Sequence, residues 1–584
     1  MARLAPFLPA NPKAADPMRL RAVTLIVGTA LLWDPTAHGA TPASATETPI
    51  EHLIIIVGEN ISFDNLFATY EPPPGSKVAN LLSRGIVDRE GLPGPHFAQA
   101  TQHKARVGEH YAVTPEITGA FATLPQPGTT YARGLSRYTR DARFPANLPN
   151  GPYRITRYVP YDSPVGDPVH RFFQMWQEID AGKMDLFTWV AVSSGEGSHT
   201  RDDPSSDTNQ GGEAMGFYSM SSGDAAYFRE LARAYALADN YHQPVMGGTG
   251  ANFIALSTGY VGIFQEAGKP ALPPADLIED PDPRPGTDNW YKRSGYSSGS
   301  YTNCADTSQP GVKAIRDYLA TLSYRTYNDG NCAADTYYLV NNRNPAYAFD
   351  GTLRRGSPGS SLSPQSGPNI GTALAARGVS WKWYSGGRTA SGVDERLYCP
   401  ICDPLTHSTA VMTTGLRDNL QNVDAFFRDL GDEKALPAVS FVIPPNPESG
   451  HPAYSTVFAL ERFVKDVVAK VQSNPEVWRR SAILVTTDEG GGFYDSGYIQ
   501  ILDFFGDGTR IPLLAISPFA RKGYVDHTYY DHVSVLKFIE RNWHVPPLSE
   551  HSRDHLPNPV PGDVDSYVPA NRPAIGDLMN LFKF

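Results

Sequence analysis

Asp488-Glu489-Gly490-Gly491-Gly492-Phe493-Tyr494-Asp495 follows the apolar run Ala482-Ile483-Leu484-Val485, and together they decide the fold class. A short aliphatic run bounded by a turn signal reads as a strand buried on both faces, as in parallel sheets. Two adjacent carboxylates therefore leave the carboxyl end of a core strand and enter a glycine-rich loop. In open α/β sheets ligands bind at that end of the strands. Carboxylates there suit a hard cation held through oxygen. A lone acidic turn would look the same, so the rest of the chain has to separate the two.

A second run of the same kind, His52-Leu53-Ile54-Ile55-Ile56-Val57, ends in Gly58-Glu59-Asn60 and then Ser62, Phe63 and Asp64. Asn or Ser there would also serve a helix cap, but two core strands ending in oxygen ligands point to one site. Further strands are expected over 379–384, 438–443 and 511–517. A helix over 458–471 places Leu460, Val464, Val467, Val468 and Val471 on one face. Asp531 is expected to cap another in which Val535, Leu536, Phe538 and Ile539 face inward. Residues 225–235 read as an amphipathic helix, and 236–241 as its exit toward the core. Strands alternating with helices predict one α/β domain with a mostly parallel central sheet and helices on both faces.

The chain has 584 residues, is 41% hydrophobic and carries a formal net charge of −11. That balance shows no basic nucleic-acid footprint, so no nucleic-acid partner is expected. Gly (52) and Pro (51) are scattered, which predicts long ordered loops rather than a disordered tail. Two stretches without sustained periodicity, about 70–160 and 266–365, are expected as insertions in a single domain over 46–584. Residues 1–45 read as a signal peptide and extension: Arg19 and Arg21 precede an apolar run over 22–32, with small-residue cleavage options ending at Ala40 or Ala45. The expectation is export to the periplasm or medium, with no membrane span after cleavage. An exported chain with four cysteines favours the disulfides Cys304–Cys332 and Cys399–Cys402. A four-thiolate zinc site is the alternative, but only one Cys-x-x-Cys is present.

Gly247-Gly248-Thr249-Gly250-Ala251-Asn252-Phe253 looks like a glycine-rich helix start, where backbone N–H groups can meet an anion. The Thr249 hydroxyl there either holds or attacks phosphate, or is an ordinary cap. His170 opens a helix with Phe172, Phe173, Trp176 and Ile179 on one face. His407 follows the Cys399/Cys402 turn, and His451 lies in Ser449-Gly450-His451-Pro452. A capping or packing histidine would fit the spacing of His170 equally.

In this order the blocks resemble bacterial acid phosphatases of the AcpA type and the related non-specific phospholipases C. The resemblance covers 53–67, 167–187, 215–259, 379–387, 438–454 and 483–543. It implies an alkaline-phosphatase-like three-layer sandwich with long loop insertions. It also implies one divalent metal ion held by Glu59, Asn60, Asp488, Glu489 and Thr249, with Thr249 as nucleophile. His170 and His451, and with them His407, would serve the phosphate side. The implied substrate is a phosphate ester, either a small phosphomonoester or a phospholipid head group. Gly58, Asn65, Gly490, 251–253 and Ser496 depart from the common pattern and lean away from the phospholipase branch. No Cys-x-Pro-x-Arg sulfatase signature is visible. A non-catalytic binding protein that keeps the fold is the rival from another class.

Overall fold

His52–Gly58 and Ser481–Thr487 lie side by side as parallel strands, paired from His52 with Ser481 to Gly58 with Thr487. They are the centre of an eight-stranded sheet in a computed structural model that describes residues 46–128, 140–194, 211–295, 298–354, 361–389 and 391–584. In chain order its strands are β1 (His52–Gly58), β2 (Ala236–Ala238), β3 (Trp381–Ser385), β4 (Leu420–Asn422), β5 (Val439–Ile443), β6 (Ser481–Thr487), β7 (Leu513–Ile516) and β8 (Tyr524–Asp526). Their spatial order is β4-β3-β5-β1-β6-β7-β2-β8. All pairings are parallel except those of β7, which runs antiparallel to both β6 and β2. The described residues all belong to one unit, Ala43–Phe584.

Every residue of β1 and of β6 is buried. Alternate side chains of β1 enter two different cores, which is why its sequence is continuously apolar rather than alternating. Ile54 and Ile56 pack with Leu460, Val464, Val467 and Val468 of the helix Val457–Gln472. Leu53, Ile55 and Val57 pack with Phe253 and Leu256 of the helix Thr249–Thr258, and with Val535, Leu536 and Phe538 of Val533–Trp543. Each such aliphatic side chain contributes roughly 1.5–3 kcal/mol on burial. The result is three layers, α/β/α. Helices used below are α1 (Phe63–Phe67), α2 (Phe172–Glu178), α3 (Ala226–Ala234), α4 (Thr249–Thr258), α5 (Val457–Gln472) and α6 (Val533–Trp543).

Three strands were not legible beforehand. Ala236-Leu237-Ala238, read as a helix exit, is β2; β4 and β8 are equally short, and three residues show no period. The helix α6 has His532 as its first flanking residue, yet Asp531 Oδ1 accepts from the N–H groups of Val533 (2.8 Å) and Ser534 (3.3 Å), so Asp531 does cap the first turn. Both disulfides, Cys304–Cys332 and Cys399–Cys402, are formed. The signal segment lies outside the described residues. Among the described residues no helix is long and apolar enough to cross a membrane.

Candidate active site

Because β1 and β6 are parallel neighbours, Glu59-Asn60 and Asp488-Glu489 leave the sheet side by side. Asp488 Oδ1 accepts the backbone N–H of Asn60 at 3.0 Å and of Glu489 at 2.8 Å, while Ile61 N–H donates to Glu489 O at 3.1 Å. The following glycines let a third segment close in. Gly491 and Gly492 have φ of +61° and +72°. A Cβ on Gly491 would stand 2.5 Å from Asn60 Cβ, and one on Gly492 would stand 2.0 Å from Val169 O. Only glycine satisfies both the backbone and the contact, and the contact brings Asp167 to His170 over the carboxylates. Beneath, Arg510 is held by Asp495 (Nε–Oδ2 2.9 Å) and by Asp64 (3.2 Å), all buried, which pins the α1 entry to the Gly-rich loop.

Glu59, Asn60, Thr249, Asp488 and Glu489 are all at most 2% exposed. Glu59 Oε1, Asn60 Oδ1, Asp488 Oδ2 and Glu489 Oε2 are buried oxygens with no hydrogen-bond partner. Buried acceptors are rarely left so, and four of them on one set of residues fit a cation bound through oxygen. Burial is the first reason the Glu59, Asp488 and Glu489 carboxyls are pushed upward, and Asp488 repels both glutamates further. A divalent cation would offset that clustering of like charge. Thr249 is the first residue of α4, with Gly248 flanking it, and its hydroxyl caps nothing. It donates instead to Glu489 Oε1 at 3.1 Å. The ordinary-cap reading of Thr249 therefore fails. The helix start is nonetheless less open to an anion than its glycines suggest, because Gly250 N–H donates to Asn342 Oδ1 at 2.7 Å.

His170 and His451 meet above this set, ring centroids 6.4 Å apart. Each ring's Nδ1–H donates to a carbonyl, of Pro168 and Pro452 respectively, at 2.6 Å. His451 Nε2 lies 3.1 Å from Asn60 Nδ2, and its ring stacks on Tyr454 at 4.3 Å. Burial lowers the pKa of both imidazoles, so both are neutral at pH 7. His407 is not brought to them. It sits in the turn Pro404–His407, packed against the C-terminal half of α4, and lines a separate cavity of about 230 Å³ with Ile254, Ser257 and Tyr260. Thr249 and Ser257 are about 12 Å apart along the helix axis.

Two residues of the site escaped the sequence reading. Asp167 accepts from Asn60 Nδ2 at 3.2 Å, lies 3.6 Å from His170 Nδ1, and forms with His170 and His451 a compact cluster of ligand atoms. Burial raises its carboxyl to about 7. Arg171, 8% exposed, places a fixed positive charge near Asp167, Glu489 and both histidines. The signal was an Asp and an Arg bracketing His170.

A family model, the Phosphoesterase family, matches residues 50–546. The chain belongs to that family. It is 27% identical over 396 residues to the hemolytic phospholipase C of Pseudomonas aeruginosa, covering 64% of this chain and 43% of the relative. To the non-hemolytic phospholipase C of Burkholderia pseudomallei it is 23% identical, covering 98% and 65%. To a probable acid phosphatase of Kluyveromyces lactis it is 27% identical, covering 33% and 45%. The chain thus spans between 43% and 65% of the length of these relatives. Among solved structures, an alkaline phosphatase superfamily protein from Vibrio parahaemolyticus matches at 10% identity over 56% of this chain and 62% of that one, with a TM-score of 0.26. A score that low carries no statement about the fold, which rests on its own strand order.

Three of the departures noted above, Gly58, Asn65 and Ser496, have packing reasons. A Cβ on Gly58 would stand 2.5 Å from Leu460 Cδ2, so α5 fills the place of a longer side chain. Asn65 donates Nδ2–H to Gly216 O at 2.9 Å. Ser496 donates its N–H (2.8 Å) and hydroxyl (2.5 Å) to Asp64 Oδ2, so it belongs to the Arg510 ion cluster.

Proposed function

We propose that this chain hydrolyses phosphate esters as an acid phosphatase, with Thr249 as the nucleophile. The observation that carries it is the set of four unpartnered buried oxygens next to a helix-start hydroxyl that caps nothing. Glu59, Asn60, Asp488 and Glu489 are the residues to hold a divalent cation, with Thr249 beside them. Such a cation, when bound, would lower the pKa of the Thr249 hydroxyl as it does that of coordinated water.

Glu489 Oε1 already accepts the Thr249 proton's hydrogen bond and is the group poised to receive it. Thr249 Oγ1 then attacks phosphorus in line, and the ester oxygen departs to leave a phosphothreonine that water releases. The Nδ1–H bonds of His170 and His451 make Nε2 the ring nitrogen to meet substrate; that of His451 accepts from Asn60 Nδ2 at 3.1 Å and would exchange this bond for one to substrate. Protonated there, in acid or on arrival of an anion, each can bind a phosphate oxygen or protonate the leaving alkoxide, a role worth roughly 10²–10⁴-fold. Arg171 supplies a charge that does not titrate.

Phospholipase C activity is the second reading, favoured by the names of the two relatives that cover 98% and 92% of this chain. Export, inferred from residues 19–45, is part of the same proposal. The deciding measurement is hydrolysis of a chromogenic phosphomonoester beside phosphatidylcholine, each with and without chelator. Chelator-sensitive turnover of the monoester, lost by at least about 10³-fold in Thr249→Ala with circular dichroism unchanged, is expected. Turnover of the lipid alone would reverse the ranking. Near-normal turnover in Thr249→Ala would remove the nucleophile.

A further inference from the structure

The Cys399–Cys402 disulfide is more than a staple in a surface turn. Cys402 is fully buried and Cys399 is 8% exposed. Both share a core with Phe253 and Leu256 of α4, the helix whose first residue is Thr249. Both sulfurs lie within 4.8 Å of a carboxylate oxygen of Glu59. Glu59 Oε1 has no hydrogen-bond partner, while Oε2 accepts from the Tyr454 hydroxyl at 3.5 Å. One carboxylate thus faces two sets of ligands, the oxygens of Asn60, Asp488 and Glu489 and the sulfurs of the disulfide.

We propose that Cys399 and Cys402, once their disulfide is reduced, form with Glu59 a second metal site that takes a soft divalent cation such as zinc or cadmium. Reduction by a dithiol moves two electrons and two protons onto the cysteines, while the dithiol closes to its own disulfide. Metal binding then displaces the two thiol protons. The spacing Cys-x-x-Cys suits this, since two such thiolates chelate one tetrahedral cation at about 2.3 Å each. The Cα atoms are already only 5.3 Å apart, so the sulfurs need to separate without moving the turn. Softness sets the choice of ion: thiolates select zinc-like cations, whereas carboxylate and amide oxygens select magnesium, calcium or manganese. Glu59 cannot serve both sites fully. Filling the thiolate site therefore draws a ligand from the phosphoester site; this last consequence, and only it, rests on the function proposed above.

The test uses the full chain, reduced with a dithiol, freed of it by gel filtration without air, and titrated with cadmium. Alkylation and mass spectrometry report which cysteines were opened. A thiolate-to-cadmium charge-transfer band is expected at one equivalent in the reduced chain and not in the oxidised one. It should persist in Cys304→Ser/Cys332→Ser and vanish in Cys399→Ser/Cys402→Ser. Glu59→Gln should weaken cadmium binding by roughly tenfold or more, with the near-ultraviolet circular dichroism of the reduced, metal-free chain retained. Absence of the band from a reduced chain that keeps its near-ultraviolet circular dichroism would overturn the proposal. So would equal affinity in Glu59→Gln. Collapse of the dichroism on opening Cys399–Cys402 alone would do the same and leave a structural staple. The band is read without any ester substrate, so its presence or absence stands apart from whether the oxidised chain is a phosphatase.

Discussion

The backbone N–H of Asn60 donates to Asp488 Oδ1 at 3.0 Å across the seam between β1 and β6, with Asn60 itself at a φ of +59°. Few side chains tolerate that left-handed backbone, and Asn is one of them. The bond ties the two acidic loops together, so a change at one carboxylate bears on the position of the other.

Asn60→Ala should cost about 1 kcal/mol, from the left-handed backbone alone, and weaken metal binding. Asn60→Gly relieves the strain and should recover the stability without the metal affinity. Thermal melts and titration calorimetry separate the two effects.

Glu489→Gln should stabilise the metal-free chain while impairing metal binding. Burial and repulsion from Asp488 push the Glu489 carboxyl well up. An uncharged isostere removes that repulsion yet can still accept from Thr249. The melting temperature without metal is expected to rise by about 1–3 °C at neutral pH, and calorimetry should show metal affinity lost. A fall in the metal-free melting temperature would contradict the charge argument.

Gly490 is held by packing and not by exposure to substrate. A Cβ there would stand 2.3 Å from Thr509 Oγ1, and Gln243 Oε1 accepts from both the Gly490 N–H (2.9 Å) and the Thr509 hydroxyl (3.2 Å). Gly490→Ala should cost about 1–3 kcal/mol. Adding Thr509→Ala should return about 1 kcal/mol as coupling in a double-mutant cycle followed by denaturant melts.

His527 should make part of the stability pH-dependent. Burial opposes its charge, but the Asp239 hydrogen bond at 2.7 Å overrides this and leaves its pKa raised. Asp526 adds to the rise and Lys77 opposes it. A raised histidine contributes stability fully below its unfolded value of about 6.5 and loses it as pH rises through the folded value. The melting gap between the native chain and His527→Gln should therefore be larger at pH 5.5, up to about 1 kcal/mol, than at pH 9.

Much of this was local and so legible in the chain. The aliphatic runs of β1 and β6, the carboxylates at their ends, the apolar stripe of α5 and the glycines before Thr249 each declare themselves within a dozen residues, because burial and backbone freedom act at that range. The three-residue strands β2, β4 and β8 do not, since nothing that short shows a period. Nor does the reversed direction of β7, which depends on the path of the chain between 488 and 512. The membership of the site is likewise an outcome of assembly. Asp167 and Arg171 enter because Gly492 lets Val169 approach, Asn342 enters from a loop 92 residues further along the chain than Gly250, and Cys399–Cys402 reaches Glu59 from a turn packed on α4. His407 follows that same turn to the other end of the helix. Residue types announce what chemistry a chain can carry; the strand order and the close packing between distant loops determine which of those residues meet.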